Sequence, residues 1–218
     1  MMNNPSAKEQ YMLELINRMR MNPDAEYDLL VNSTNEDIQT GLSIVDLDVL
    51  KSQWNQLKPV QPLAWSNQLH LSAVNHTQLM IDNNAQKHNF PGEPSISERI
   101  ANTGYEATTQ TENIYAFGSS VLESHAAFAI DWGDDDNNLG NGKGTGIQNP
   151  PSHRDAIMSN EYREVGIGIL REDTSGTKVS KLFTTQHFAN SKELSETNTS
   201  WLLGTVFRDI DNDDFYSV

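Results

Sequence analysis

Tyr162-Arg163-Glu164-Val165-Gly166-Ile167-Gly168-Ile169-Leu170 is the stretch on which the fold class turns. Val165, Ile167 and Ile169 alternate with glycines, a period of two that fits a strand over 164–170 and no helix. A second strand follows over 181–188, Lys181-Leu182-Phe183-Thr184-Thr185-Gln186-His187-Phe188. The connection between them, 171–180, holds Asp173, Ser175 and Gly176 and suits a hairpin.

Upstream the clear periods are helical. Met12, Leu15, Ile16 and Met19 share one face over 7–21. Asn22-Pro23 ends that helix and starts a second, with Asn22 as N-cap and Pro23 at the first helical position, running to about Leu30. Residues 32–60 read as polar and irregular, with a short helix around 45–57. A third long helix spans about 66–84 on the stripe Leu69, Ala73, His76 and Met80. Ser95-Ile96-Ser97-Glu98 is a capping box that opens a short helix closed by Gly104. Glu112-Asn113-Ile114-Tyr115 follows a threonine-rich loop, and 120–132 reads as another helix. Residues 133–152 carry glycines and three consecutive aspartates with no period, and read as a loop. Ser152 then caps a helix over about 154–159, with Asp155 in its first turn where it suits the helix dipole. Helices combined with a small antiparallel sheet give the α+β class.

The 218 residues suit one domain, here 1–190, with a polar linker over 191–201 and a tail, 202–218, that reads as the start of a truncated further module. Thirty acidic and 15 basic side chains give a formal charge of −15, a field that repels phosphate backbones and speaks against nucleic acid as a partner. The chain has no cysteine, so neither disulfides nor thiol chemistry are available to it. No apolar run reaches the roughly 18 residues of a membrane span. The start, Met1-Met2-Asn3-Asn4-Pro5-Ser6, lacks the basic end and apolar stretch of a signal peptide, and the chain is expected to be a piece of something longer.

Three polar residues stand out. His88 lies in Gln86-Lys87-His88-Asn89-Phe90, Glu112 in Thr111-Glu112-Asn113-Ile114, and His153 in Pro150-Pro151-Ser152-His153-Arg154. Two imidazoles and a carboxylate form a natural ligand set for a divalent metal, zinc first. At a helix start His153 is favoured in its neutral form, which binds metal or accepts a proton. The same residues read equally as loop side chains that hydrogen-bond backbone. No Gly-x-Ser-x-Gly elbow is present, and Ser152 beside His153 does not make a triad.

Taken in order, Gln86–Phe90, then Glu98-Arg99-Ile100 with Gly104-Tyr105, then Thr111-Glu112-Asn113-Ile114, then Ser152-His153-Arg154-Asp155-Ala156-Ile157, then Tyr162–Gly168 resemble the CAP superfamily of SCP-like extracellular proteins. Leu15-Ile16-Asn17-Arg18-Met19-Arg20-Met21-Asn22-Pro23 resembles the first helix of its bacterial members, and the resemblance covers about 6–190. It implies a three-layer α-β-α sandwich, an extracellular or cell-surface setting, and a cleft that in animal members carries a His-Glu-Glu-His set. His88 matches the first histidine, Glu112 the glutamate of the Glu-Asn motif and His153 the last histidine. The remaining acid falls nearest Asp135, after Trp132. Glu98 and Arg154 are further cleft candidates, although a capping-box role explains Glu98 and an ion pair explains Arg154. The expected role is binding of a ligand (small molecule, lipid, peptide or glycan) or a divalent cation without turnover. The alternatives are a zinc hydrolase with Glu112 as ligand or base, and a surface-display module with a calcium-stabilised tail.

Calcium has two candidate stretches. Asp134, Asp136 and Asn138 offer oxygens at alternate positions but have Leu139 where the calcium loop needs glycine. Asp209, Asp211 and Asp213 form a better ladder, with Asp214 in the glycine position. His76 reads as a core histidine, Arg99 as a partner for a carboxylate, and His70, His125 and His187 as structural or surface residues.

Overall fold

The computed structural model describes residues 4–133, 144–173, 179 and 181–193. Helix α1 (Ala7–Met21) begins at a capping box in which Ser6 and Glu9 satisfy each other's backbone amides. Its face of Met12, Leu15, Ile16 and Met19 is fully buried, at about 1.5–3 kcal/mol of hydrophobic stabilisation per side chain. Asn22 caps α2 (Pro23–Val31) through the Ala25 amide. The polar stretch that follows contains two short helices, α3 (Glu36–Leu42) and α4 (Leu47–Trp54), opened by Asn35 and Asp46 side chains that each accept two backbone amides. The second was expected. The first was not, because its sequence has little apolar period and rests on its cap.

Strand β1 (Ala64–Trp65) leads into α5 (Asn67–Asp82), and the capping box at Ser95 opens α6 (Ile96–Ala101). Strand β2 (Ala107–Gly118) occupies what reads in sequence as a threonine-rich loop. The segment expected to be one helix over 120–132 starts as α7 (Val121–Ala126) and loosens into a π-helical turn (Ala127–Asp131). Helix α8 (Ser152–Met158) and strands β3 (Glu164–Arg171) and β4 (Leu182–Ser191) complete the described chain.

The sheet order is β1-β3-β4-β2. It is antiparallel except for the two-residue edge strand β1, which runs parallel to β3. Val165, Ile167, Ile169, Leu182 and Phe188 face a core shared with α1, α7 and α8. The opposite face packs on α5 and α6. The architecture is therefore the expected α+β three-layer sandwich.

Gly166 and Gly168 explain how closely α5 approaches. A Cβ on Gly166 would lie 2.0 Å from the His70 nitrogen, and one on Gly168 would lie 2.6 Å from the Val74 nitrogen. The strand's glycines are thus the seat of a helix backbone. Where β1 ends, side chains close the edge of β3. His70 Nδ1 donates to the Ile167 carbonyl at 2.7 Å, and Glu9 accepts the Ile169 amide at 3.4 Å. Ser191, where the linker was expected to begin, still belongs to β4. The linker from 194 on, the expected tail, the calcium candidates Asp134, Asp136, Asn138, Asp209, Asp211 and Asp213, and most of the β3–β4 connection lie outside the described residues.

Candidate functional site

Glu112 sits mid-way along β2 and faces α5 and α6. Its register partner on β4 is His187, so the two side chains meet on one face of the sheet. His187 Nε2 donates to Glu112 Oε2 at 2.7 Å. His88, in the loop after α5, donates Nδ1–H to Oε1 at 2.8 Å. Arg99 on α6 places Nη2 2.5 Å from Oε2 and Nη1 2.7 Å from Glu93 Oε1. Glu93 also receives His76 Nδ1 at 2.6 Å. Burial pushes the Glu112 pKa up, but the hydrogen bonds from His187 and His88 outweigh it and hold the carboxyl well below the usual range. Burial lowers the pKa of His187, which favours the neutral ring, and it donates through Nε2 while its buried Nδ1 has no partner among the described residues.

Within this cluster only His88 reaches water substantially, its side chain 62% exposed against 3% for Glu112. It stands at an open groove of about 630 Å³ lined by His88, Asn89, Glu93, Ser95, Ile96, Gln110, Thr111 and Glu112.

His153 occupies other ground. Consecutive strand residues point to opposite faces. Glu112 therefore turns toward α5, while Asn113 turns toward α8 and donates to the His153 carbonyl at 3.1 Å. The imidazole itself is held by Asp131, whose Oδ1 lies 2.6 Å from His153 Nδ1. Asp131 Oδ2 accepts the His153 amide at 2.9 Å. The first turn of α8 is thus capped by a carboxylate from the π-helical turn and not by Ser152, whose hydroxyl bonds the Pro150 carbonyl. His153 lines a smaller cavity of about 180 Å³ with Gln86, Tyr115, Phe128, Trp132 and Gln148.

The structure therefore joins His88 to Glu112 and places His153 with Asp131. Among the described residues, no group of three or more His, Asp or Glu side chains has the geometry to hold a metal ion. His153 is held apart by Asp131, and Arg99 occupies Oε2 of Glu112, so the set His88, Glu112 and His153 does not fit a zinc ion as arranged.

Of the remaining cleft candidates, Glu98 is an exposed helix cap whose carboxylate accepts the Ser95 amide and hydroxyl. Arg154 points inward. Its Nη1 donates to the Ile130 carbonyl at 3.1 Å, its Nη2 bonds Gln53, and the guanidinium lies over Trp54. Asp135 lies outside the described residues. The acid that does meet a cleft histidine is Asp131, on the other side of Trp132. Sequence reading also passes over Glu93 and His187. Strand alternation from Phe183 hints at burial of His187's face, but only the β2–β4 register reveals Glu112 as its partner.

The sequence matches the cysteine-rich secretory protein family, CAP, over residues 13–188. The chain belongs to this family. Unlike the family's name, this CAP chain carries no cysteine. Among solved structures it is similar to an extracellular protein with an SCP domain from Bacillus anthracis, at 21% identity and a TM-score of 0.43, over 75% of this chain and 43% of that one. This chain thus spans less than half of the Bacillus anthracis protein. An outer surface protein of Borrelia burgdorferi is similar at 17% identity and a TM-score of 0.45, over 73% of this chain and 96% of that one. Venom allergen-like protein 4 of Schistosoma mansoni is similar at 9% identity and a TM-score of 0.48, over 86% and 91% respectively. No curated protein matches the CAP chain. Among the described residues, no helix is long and apolar enough to cross a membrane.

Proposed function

We propose that this CAP domain is an extracellular binding module that takes a polar ligand in the His88 groove and does not turn it over. The observation that supports this most is how Glu112 is held. A general base works best with a pKa near the operating pH, yet Glu112 accepts hydrogen bonds from Arg99, His187 and His88 on about three of its four lone-pair sites, and those from the two histidines hold its carboxyl well below the usual range. A divalent ion on Oε2 would have to displace Arg99 and His187, and one on Oε1 would compete with His88. Among the described residues the groove is lined by imidazole, amide, hydroxyl and carboxylate groups with Ile96 as its one aliphatic side chain, groups that can hydrogen-bond the amides of a peptide or the hydroxyls of a glycan. Family membership supports the extracellular setting.

The test screens wild-type protein, His88→Ala and Gln110→Ala on peptide and glycan arrays, with zinc titrated calorimetrically beside His153→Ala. The expected result is array binding that both groove substitutions weaken by about tenfold or more, roughly 1.4 kcal/mol, with no zinc binding that depends on His88 or His153. Arrays that stay silent, or binding indifferent to both groove substitutions, would sink the proposal. Chelator-sensitive turnover of peptide or ester substrates would replace it with a zinc hydrolase.

A further inference from the structure

Across β2 from the His88 groove, a second cavity of about 260 Å³ lies where α3, α7 and the end of β2 meet. Its walls include the rings of Tyr115, Phe117 and Trp132 and the carboxylates of Asp37 and Glu123. Among the described residues, no basic side chain lines it. The volume is below the roughly 300–1,000 Å³ of pockets for drug-sized ligands and suits one small group.

The walls are built and fixed. The Trp132 indole N–H donates to the Tyr115 hydroxyl, which donates to Glu123 Oε1 at 2.9 Å. Ser119 ties the two acids together, its hydroxyl donating to Asp37 Oδ2 at 2.7 Å and its amide to Glu123 Oε2 at 3.0 Å. The indole rests on Gly41, where a Cβ would fall 2.6 Å from the ring. Phe117 stands at the mouth, half exposed, edge-on to Tyr115 with ring centroids 6.1 Å apart.

Chemistry narrows the occupant. Glu123 is buried, and the hydrogen bonds it accepts come from neutral donors. Burial raises its pKa, and the nearby Asp37 charge adds to the rise. An anion entering here would be repelled by two carboxylates. A neutral apolar molecule would desolvate those carboxylates without compensation. A hard metal ion needs six or more oxygens, which aromatic walls do not supply. A cation with an apolar surface satisfies both kinds of wall, because ring faces attract cations and carboxylates neutralise them.

We infer that this cavity binds a small organic monocation, an alkyl-substituted ammonium group, between the rings of Tyr115, Phe117 and Trp132 and the carboxylates of Asp37 and Glu123. The site is separate from the His88 groove and does not depend on it.

The experiment is calorimetric titration of the full chain with choline chloride at matched ionic strength, with the neutral tert-butyl analogue of choline as control. Choline is expected to bind saturably, and the neutral analogue to bind about tenfold more weakly or worse. Glu123→Gln and Phe117→Ala should each weaken choline binding by about tenfold, and His88→Ala should leave it unchanged. Thermal melting checks that each variant is folded. If Glu123→Gln proves unstable, the half-exposed Phe117→Ala still decides. Absence of saturable choline binding, equal binding of the neutral analogue, indifference to Phe117→Ala, or loss in His88→Ala would each overturn the assignment.

Discussion

Asp131 and His153 act as one unit: one carboxylate oxygen takes the imidazole Nδ1 at 2.6 Å while the other takes the same residue's amide at 2.9 Å. Asp131 is fully buried and sits at φ +59°, a left-handed conformation that aspartate and asparagine tolerate better than most residues. The strained backbone at the end of the π-helical turn aims the carboxylate at the start of α8. A carboxylate accepts, so Nδ1 carries a proton, and in the neutral imidazole Nε2 is the nitrogen left with a lone pair.

Replacing Asp131 separates these roles. Asp131→Asn keeps an acceptor for the α8 amides and tolerates the positive φ, and should cost about 1 kcal/mol or less. Asp131→Ala loses the cap and meets the left-handed penalty, together roughly 2–4 kcal/mol. Urea unfolding measures both. Nitrogen-15 NMR of the wild type should show the Nδ1–H tautomer of His153, and an Nε2–H tautomer would contradict the geometry.

Arg99 is the counter-charge for two buried acids, Glu93 and Glu112. Removing one partner of a buried ion pair strands the other, so Arg99→Ala should destabilise by roughly 3–5 kcal/mol. Arg99→Lys cannot span both carboxylates with the same fork and should recover only part of the loss. Chemical denaturation of the two variants checks the ordering, and equal stability of Arg99→Ala and wild type would show the pair to be unimportant.

Acid stability should depend on Glu26. Burial pushes its pKa up, but hydrogen bonds from Arg18 and His125 outweigh that and bring it down to about 2. A carboxyl with a depressed folded pKa stabilises the protein above its unfolded value, near 4.3, and that contribution is lost as pH falls toward 2. The linked contribution is roughly 3 kcal/mol. Glu26→Gln should lower stability at pH 7 and flatten the stability profile between about pH 5 and 2. An unchanged acid limb would place the linkage elsewhere.

Much of the helical layer is legible in the sequence because its signals are local. The period of Met12, Leu15, Ile16 and Met19 and the capping residues Asn22 and Ser95 lie within a turn of what they organise. Strand β2 is not legible, since Glu112 buries a charge on a face where alternation would call for an apolar residue, and only the distant Arg99 and His187 make that burial tolerable. Ser152 reads as the cap of α8, yet the α8 amides turn to Asp131, more than 20 residues upstream. The resemblance puts His88 and Glu112 in one cleft with His153, and His88 and Glu112 do meet. The placement of His153 beyond the opposite face does not follow from it, because it depends on which way Asn113 turns.

The alternating glycines of β3 yield the sharpest steric prediction. Gly166→Ala would place its methyl 2.0 Å from the His70 nitrogen and 2.1 Å from the Leu69 carbonyl carbon, both backbone atoms of α5. A helix backbone cannot swing aside as a flexible side chain does, so α5 must lift from the sheet. Overpacking of this kind costs about 1–3 kcal/mol and sometimes more. Gly168→Ala meets the same helix at 2.6 Å, a lesser overlap, and should cost less. Lifting α5 also withdraws His70 from the Ile167 carbonyl and reopens the β3 edge. Gly166→Ala should therefore aggregate on mild heating sooner than Gly168→Ala, measured by light scattering alongside the melting transition. If the two variants melt and aggregate alike, the close seat of α5 on Gly166 is not what holds that edge closed.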